Sequence, residues 1–269
     1  MTAILGISCY YHDSAAALMI DGRIAFCAEE ERFSRVKHDL GFPENAIKFC
    51  LSESSIKPSD IDLIVFYENP ALKLDRILVN GMKNFPRSTG LLTAATRSYL
   101  ADRYWVKRHI TRFLGCSADK IIFSEHHLSH ACSAYFTSPF DEAAILTVDG
   151  VGEWNTTTIA SAKGNEIKKL SEVNYPHSLG LLYSAFTAFL GFEINEGEYK
   201  VMGMAPYGRP TYLDQARKLI RLLPNGGFEI DLNYFSWEYS TQCLYTRKFL
   251  DLFGEPRSPD DGLDLDGSN

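Results

Sequence analysis

Residues 4–29, ILGISCYYHDSAAALMIDGRIAFCAE, read as three strands in succession. Residues 4–8 are a continuous apolar run, residues 9–13 a short polar loop, and residues 15–20 a second apolar run. Asp21-Gly22 is a strong two-residue hairpin signal, because both residues tolerate positive φ, so residues 23–29 form the return strand. The same order comes back later in the chain. Residues 143–149 read as a strand, Asp149-Gly150-Val151-Gly152 as a glycine-rich turn, residues 155–162 as a second strand, and residues 166–173 as a third after Lys163-Gly164-Asn165.

Between the two meanders the period changes. Pro43 opens a helix that runs to about Glu53, and residues 62–67 are a short apolar strand. Helical patterns over 70–83 and 88–114 follow, then a strand over 120–124 and a helix over 125–136. After the second meander come helices over 178–190 and 196–204, and beyond Pro206 the chain reads as mainly helical and turn-rich.

This pattern predicts an α/β protein. It would be a duplicated ribonuclease-H-like fold of the actin, hexokinase and Hsp70 class, its first half complete and its second half incomplete. The expected divisions are a first subdomain over 1–138, an incomplete second over 139–255, and a linker or frayed terminus over 256–269. The last strands of the second half are expected from a C-terminal region or from another chain.

Bulk properties narrow the function classes. The chain has 269 residues, and 45% hydrophobic with 23% charged residues marks an ordinary globular composition. A net charge of -7 argues against nucleic-acid binding, which needs a basic excess. Residues 73–120 break the trend with ten Lys/Arg against three Asp/Glu, which reads as a solvated helix face or a surface for an anionic neighbour. Six cysteines with no CxxC pair suit a reducing, cytoplasmic compartment. The longest uncharged, mostly apolar run, residues 179–192, is too short to span a bilayer, so no membrane partner is expected.

Several constellations carry chemistry. In HHLSHACSAY (126–135), His126 and His130 are four apart on a predicted helix, about 6 Å from each other on one face. Leu128, Ala131, Cys132 and Tyr135 form the expected packing stripe, so both imidazoles should project away from it, and His127 should be a polar surface or supporting residue. Asp149 closes an apolar strand, and Gly150 and Gly152 would let backbone N–H groups approach a phosphate. Two histidines and a carboxylate make a set that leaves coordination positions open on Fe(II), Zn(II) or a similar ion.

Three other stretches have bland readings as well. In YYHDS (10–14), His12 is placed to take a proton from an alcohol, or is simply a solvated loop histidine. EEERFSRVK (29–37) offers Lys37 or Arg35 to an anion, or is a solvated face. EGEYKVMGMAPYG (196–208) has the glycines and charges of a close ligand approach, or of a helix end followed by a turn.

Taken together with GISCYYHDSAAAL (6–18), EEERFSRVKHD (29–39), DGVGEW (149–154) and HSLGLLYSAFTAFLGF (177–192), these motifs resemble the NodU/CmcH-like O-carbamoyltransferase family. The resemblance covers nearly the whole chain and implies an actin-like N-terminal domain, like that of the universal tRNA threonylcarbamoyl-transfer protein. A smaller C-terminal domain would make carbamoyl-adenylate from carbamoyl phosphate and ATP. The first domain would then move the carbamoyl group to a hydroxyl of a sugar, antibiotic or lipo-oligosaccharide.

By this resemblance His126, His130 and Asp149 match iron ligands, and Gly150 and Gly152 match the nucleotide-phosphate loop. Glu198, Lys200 and Gly203 fall in the stretch lining the nucleotide cleft, and His12 and Lys37 match polar residues near the acceptor and carbamoyl groups. The family's fourth ligand, an Asp, belongs to a later segment, as does the adenylate-forming domain, so this chain alone is expected to be inactive. Oligomeric state is left open. The rival expectations are an actin-like-fold ATPase or sugar kinase, and a non-catalytic truncated module.

Overall fold

A computed structural model describes residues 1–261 except 225 and 241. The predicted linker over 256–269 therefore lies mostly outside the described residues. The chain is a mixed α/β protein that divides into two compact units, Met1–Arg76 with Ala94–Ser129, and Ile77–Thr93 with His130–Asn269. The sequence reading placed one boundary at 138, whereas this division falls at 129 and assigns 77–93 to the second unit.

The first unit opens on β1 (Ala3–Ser8), β2 (Ala15–Ile20) and β3 (Arg23–Glu29), an antiparallel meander. Its second hairpin, β2–β3, turns at Asp21 and Gly22, whose φ values of 48° and 79° are those of a primed turn. A short helix α1 (Glu31–Ser34) leads to α2 (Glu44–Ser54), then β4 (Leu63–Phe66). Helices α3 (Pro70–Lys83), α4 (Thr89–Ala101) and α5 (Val106–Leu114) precede β5 (Ile121–Phe123). The five strands form one sheet in the order β3-β2-β1-β4-β5, with β4 and β5 parallel to β1. Strict alternation in β1 buries Ala3, Leu5 and Ile7, which pack with Ile47 of α2, Ile64 of β4 and Ile110 of α5.

Two expectations fail in this unit. The predicted helix over 88–114 is broken at Asp102, whose φ of -134° and ψ of -49° leave the helical region, and the Trp105 indole N–H donates to the Leu100 carbonyl at 2.9 Å beside the break. The charged run over 29–37 is not wholly a solvated face. Glu30 is only 4% exposed. Its carboxylate accepts from the Asn45 and Ala46 backbone N–H groups at 3.2 and 2.9 Å, so it caps the N-terminus of α2.

Helix α6 (His126–Tyr135) follows, then β6 (Glu142–Val148), β7 (Asn155–Lys163) and β8 (Glu166–Asn174), an antiparallel sheet in that order. Ala131 and Tyr135 of α6 pack on Ile145, Ala160 and Ala162 of this sheet. Helices α7 (Leu179–Phe189), α8 (Glu198–Met204) and α9 (Leu213–Arg217) come next. The hairpin β9 (Ile220–Leu222) and β10 (Phe228–Ile230) and helix α10 (Arg247–Phe253) complete the unit.

The second core is aromatic, with Phe249 fully buried against Phe186, Phe189, Phe235, Tyr245 and Phe253. The β9–β10 hairpin corrects the expectation of a helical and turn-rich segment after Pro206. Three-residue strands are too short to display an alternation.

Each unit contains a three-stranded antiparallel meander. In the first, β1 is central and parallel strands continue the sheet beyond it; in the second, no named strand among the described residues pairs with the other edge of β6. The exposed face there is apolar: Leu146 and Ile159 are cross-strand partners, 65% and 36% exposed.

Candidate metal and phosphate site

Helix α6 begins at His126, and its first turn behaves differently from the predicted stripe. Leu128 is exposed, whereas His126 and His127 are 8% and 3% exposed. The two histidines do not both project away from packing, and His127 is not a surface residue. The reason is local: the first turn of α6 lies against the end of β4, where the Tyr67 carbonyl accepts from Ser129 Oγ at 2.8 Å. The Tyr67 ring meets His126 edge-on at 5.6 Å. Burial, and then the Glu68 charge, push the Tyr67 hydroxyl up, so it stays protonated.

His130, one turn further along α6, is exposed. Its Nε2 lies 3.9 Å from Asp149 Oδ2, just past the end of β6. The ligand atoms of His126, His130 and Asp149 all lie within 4.8 Å of one another. The other Asp149 oxygen, Oδ1, accepts from the Gly150 N–H at 2.7 Å, which fixes the carboxylate with Oδ2 toward the histidine. Two imidazoles and one carboxylate at this separation fit a divalent transition metal.

The glycine turn is held by α7. Ser178 caps that helix by accepting from the Leu181 N–H at 3.0 Å. Its hydroxyl lies 3.1 and 2.7 Å from the carbonyls of Asp149 and Gly150. A Cβ at Gly180 would come within 2.5 Å of the Asp149 and Gly150 backbone, so only glycine lets the helix sit this close. At Gly150 itself a Cβ would meet nothing nearer than Leu181 at 3.9 Å, so packing does not demand glycine there and the backbone is open to a ligand. Gly152 closes the turn by donating its N–H to the Asn155 carbonyl at 3.0 Å. The turn therefore lies against the capped N-terminus of an 11-residue helix, where partial positive charge accumulates.

Helix α8 leans on the same α7. Glu198 Oε1 accepts from Ser184 Oγ at 2.9 Å and from the Asn195 N–H at 3.1 Å, so this carboxylate is spent on holding α8 in place. Lys200 is exposed, its Nζ 5.9 Å from the Phe192 ring. Gly203 is exposed, with nothing within 4 Å of an added Cβ.

His12 and Lys37 lie in the first unit on two loops that are laced together. The Tyr10 N–H donates to the Leu40 carbonyl and the Ser14 N–H to the Asp39 carbonyl, each at 2.9 Å. Both His12 and Lys37 are exposed. The same loop connects inward to His126. The Lys73 ammonium lies 5.3 Å from the Tyr11 ring centroid and 2.5 Å from Glu68 Oε2, which lies 3.9 Å from His126 Nδ1. At Cys9, at the start of this loop, burial, and then Glu68, push the thiol well up, which disfavours the thiolate.

Sequence reasoning missed Glu68, Lys73, His38, Ser178 and Gly180. A usable signal existed for Glu68, a lone charge directly after an apolar strand. There was none for Lys73, which sat in a stretch read as a basic surface.

The model of the family described as carbamoyltransferase N-terminus matches residues 3–262, and the chain belongs to that family. It is 47% identical, over 98% of its length, to the uncharacterized protein sll1178 of Synechocystis, and 37% identical, over 83%, to the nodulation protein NolNO of Sinorhizobium fredii. It spans 44% and 32% of those two relatives. Among solved structures, YeaZ from Pseudomonas aeruginosa is similar at a TM-score of 0.37 and 14% identity, over 65% of this chain and 68% of that one.

Among the described residues no helix is long and apolar enough to cross a membrane.

Proposed function

We propose that this chain is the metal- and nucleotide-binding, group-transferring part of an O-carbamoyltransferase. The observation that carries the reading is the convergence of His126, His130 and Asp149 beside a glycine turn braced by a helix N-terminus. The donor is carbamoyl phosphate, activated with ATP as carbamoyl-adenylate. The acceptor is a hydroxyl of a sugar, antibiotic or lipo-oligosaccharide.

The chain's own groups divide the work. The N–H groups around Gly150 and the start of α7 hold the nucleotide phosphate. His126, His130 and Asp149 would hold Fe(II) or another divalent ion, which when bound supplies Lewis-acid polarisation. His12 accepts the proton of the acceptor hydroxyl as its oxygen bonds to the carbamoyl carbon. The bond from that carbon to the phosphate oxygen breaks, AMP leaves with the electron pair, and Lys37 offsets the charge that develops. Glu198 keeps α8 on α7, which would place Lys200 and Gly203 at the edge of the nucleotide cleft.

A full-length protein given carbamoyl phosphate, ATP and an alcohol acceptor should release AMP and form a carbamate ester. AMP release absent with every acceptor, while metal binds normally, would favour the ATPase or kinase reading. A His12→Ala protein with unchanged turnover would remove the base assignment.

We propose further that the two meanders are halves of one duplicated fold. The open edge of β6 and the apolar face around Leu146 would then be covered, in the whole protein, by residues outside this chain, including an adenylate-forming domain. Open, apolar strand edges promote pairing between copies. The isolated chain should therefore self-associate, and Leu146→Lys should shift it toward monomer in sedimentation velocity. A chain that is monomeric with Leu146 intact would count against this.

A further inference from the structure

Outside the metal set, the first unit holds a second cluster of titratable groups. The Asp13 carboxylate is divided between two imidazoles, with Oδ2 2.8 Å from His12 Nδ1 and Oδ1 2.7 Å from His38 Nδ1. Glu31 stands behind, its Oε2 accepting from the His38 backbone N–H at 3.0 Å. Ligand atoms of Asp13, Glu31 and His38 lie within 4.8 Å of one another, which is also a spacing a cation could use. The hydrogen bonds argue against a cation. Asp13 Oδ1 is committed to His38 Nδ1 and Oδ2 to His12 Nδ1, and a metal would have to break that pairing to bind.

The backbone is bent to build this arrangement. Tyr10, Asp13, Arg35 and His38 have φ values of 70°, 51°, 61° and 53°, a left-handed region that disfavours side chains. Four such residues on two laced loops mark a geometry that the surrounding structure imposes, and strain of this kind gathers at functional sites. Burial works to raise the Asp13 carboxyl, but hydrogen bonds from His38 and His12, together with their charges, outweigh it and hold the group below the usual range. Asp13 is therefore a carboxylate at neutral pH.

We propose that Asp13 is a positioning residue: it holds His12 with the proton on Nδ1, leaving the Nε2 lone pair to accept the substrate's proton, while His38 pins the other carboxylate oxygen. A carboxylate hydrogen-bonded to one imidazole nitrogen selects the tautomer and orients the ring, as in hydrolytic triads. This rests on the reading of His12 as the base. Asp13 touches no reacting atom, so its effect passes through His12 alone.

The direct test is long-range proton–nitrogen NMR of the histidine rings in the labelled chain. His12 is expected as the Nδ1–H tautomer, and Asp13→Ala should turn it mainly to the Nε2–H form. His38→Gln is the second variant: it removes the other arm and should leave His12 with mixed tautomers. An Nε2–H His12 in the unaltered chain, or tautomers unchanged in both variants, overturns the proposal.

In the full-length protein, Asp13→Ala should lower kcat at least about 10-fold, between the roughly 10- to 100-fold cost of losing an outer partner of a metal-site histidine and the roughly 10⁴-fold cost in a hydrolytic triad, with the acceptor KM little changed. Asp13→Glu should recover part of it. A tautomer shift in Asp13→Ala, combined with turnover untouched by His12→Ala, would sink the base assignment and leave the clamp standing. An unmoved tautomer would sink the clamp itself.

Discussion

Lys73→Met should destabilise the first unit by about 3–5 kcal/mol, the cost of leaving a buried charge without its partner. The Lys73 and Glu68 side chains are 10% and 5% exposed, and Nζ lies 2.5 Å from Oε2. Methionine keeps the length of the lysine stem, so packing is nearly preserved and the loss is electrostatic. Glu68 would then be left in a poorly solvated site without its cation, which costs free energy.

For a unit of this size the change corresponds to a fall of roughly 13–21 °C in Tm, readable by thermal or urea unfolding. The double variant Lys73→Met with Glu68→Met should recover most of it, because removing both charges leaves neither unpaired. If the single variant is as stable as the parent, the pair is solvated and the buried-pair account fails. If the double variant is no better than the single, the loss came from packing.

The second large effect concerns the metal set. Asp149→Asn should weaken binding of a divalent transition metal by more than about 100-fold, the upper end of what losing a supporting partner of a ligand costs. The amide keeps an oxygen to accept from the Gly150 N–H, so the turn should survive while the anionic ligand is lost. Calorimetric titration of the isolated chain reads this directly, with no need for turnover. His130→Ala should behave alike, because its Nε2 faces the same carboxylate oxygen at 3.9 Å. Affinity unchanged in both variants would mean that the two histidines and the carboxylate do not share an ion, and the proposed function would lose its main support.

The two predictions are physically linked. Glu68 lies between Lys73 and His126, 3.9 Å from the Nδ1 of that ring. A carboxylate behind a metal-binding imidazole orients the ring and raises its basicity. The pair that stabilises the unit thus also sets a carboxylate beside a candidate ligand.

Sequence alone determined the parts of this protein governed by short-range rules. The two meanders, the Asp21-Gly22 turn, the one-turn spacing of His126 and His130 and the strand-end position of Asp149 are all set by period and turn chemistry over a few residues. Tertiary structure decided what depends on distant partners. It buried His126 and His127, broke the helix at Trp105, turned Glu30 into a helix cap, paired Lys73 with Glu68, and set Asp13 between His12 and His38. The physical reason is that burial and electrostatic pairing are properties of the packed neighbourhood. A charge looks the same in the sequence whether it faces water or another charge, and only the fold brings its partner within reach.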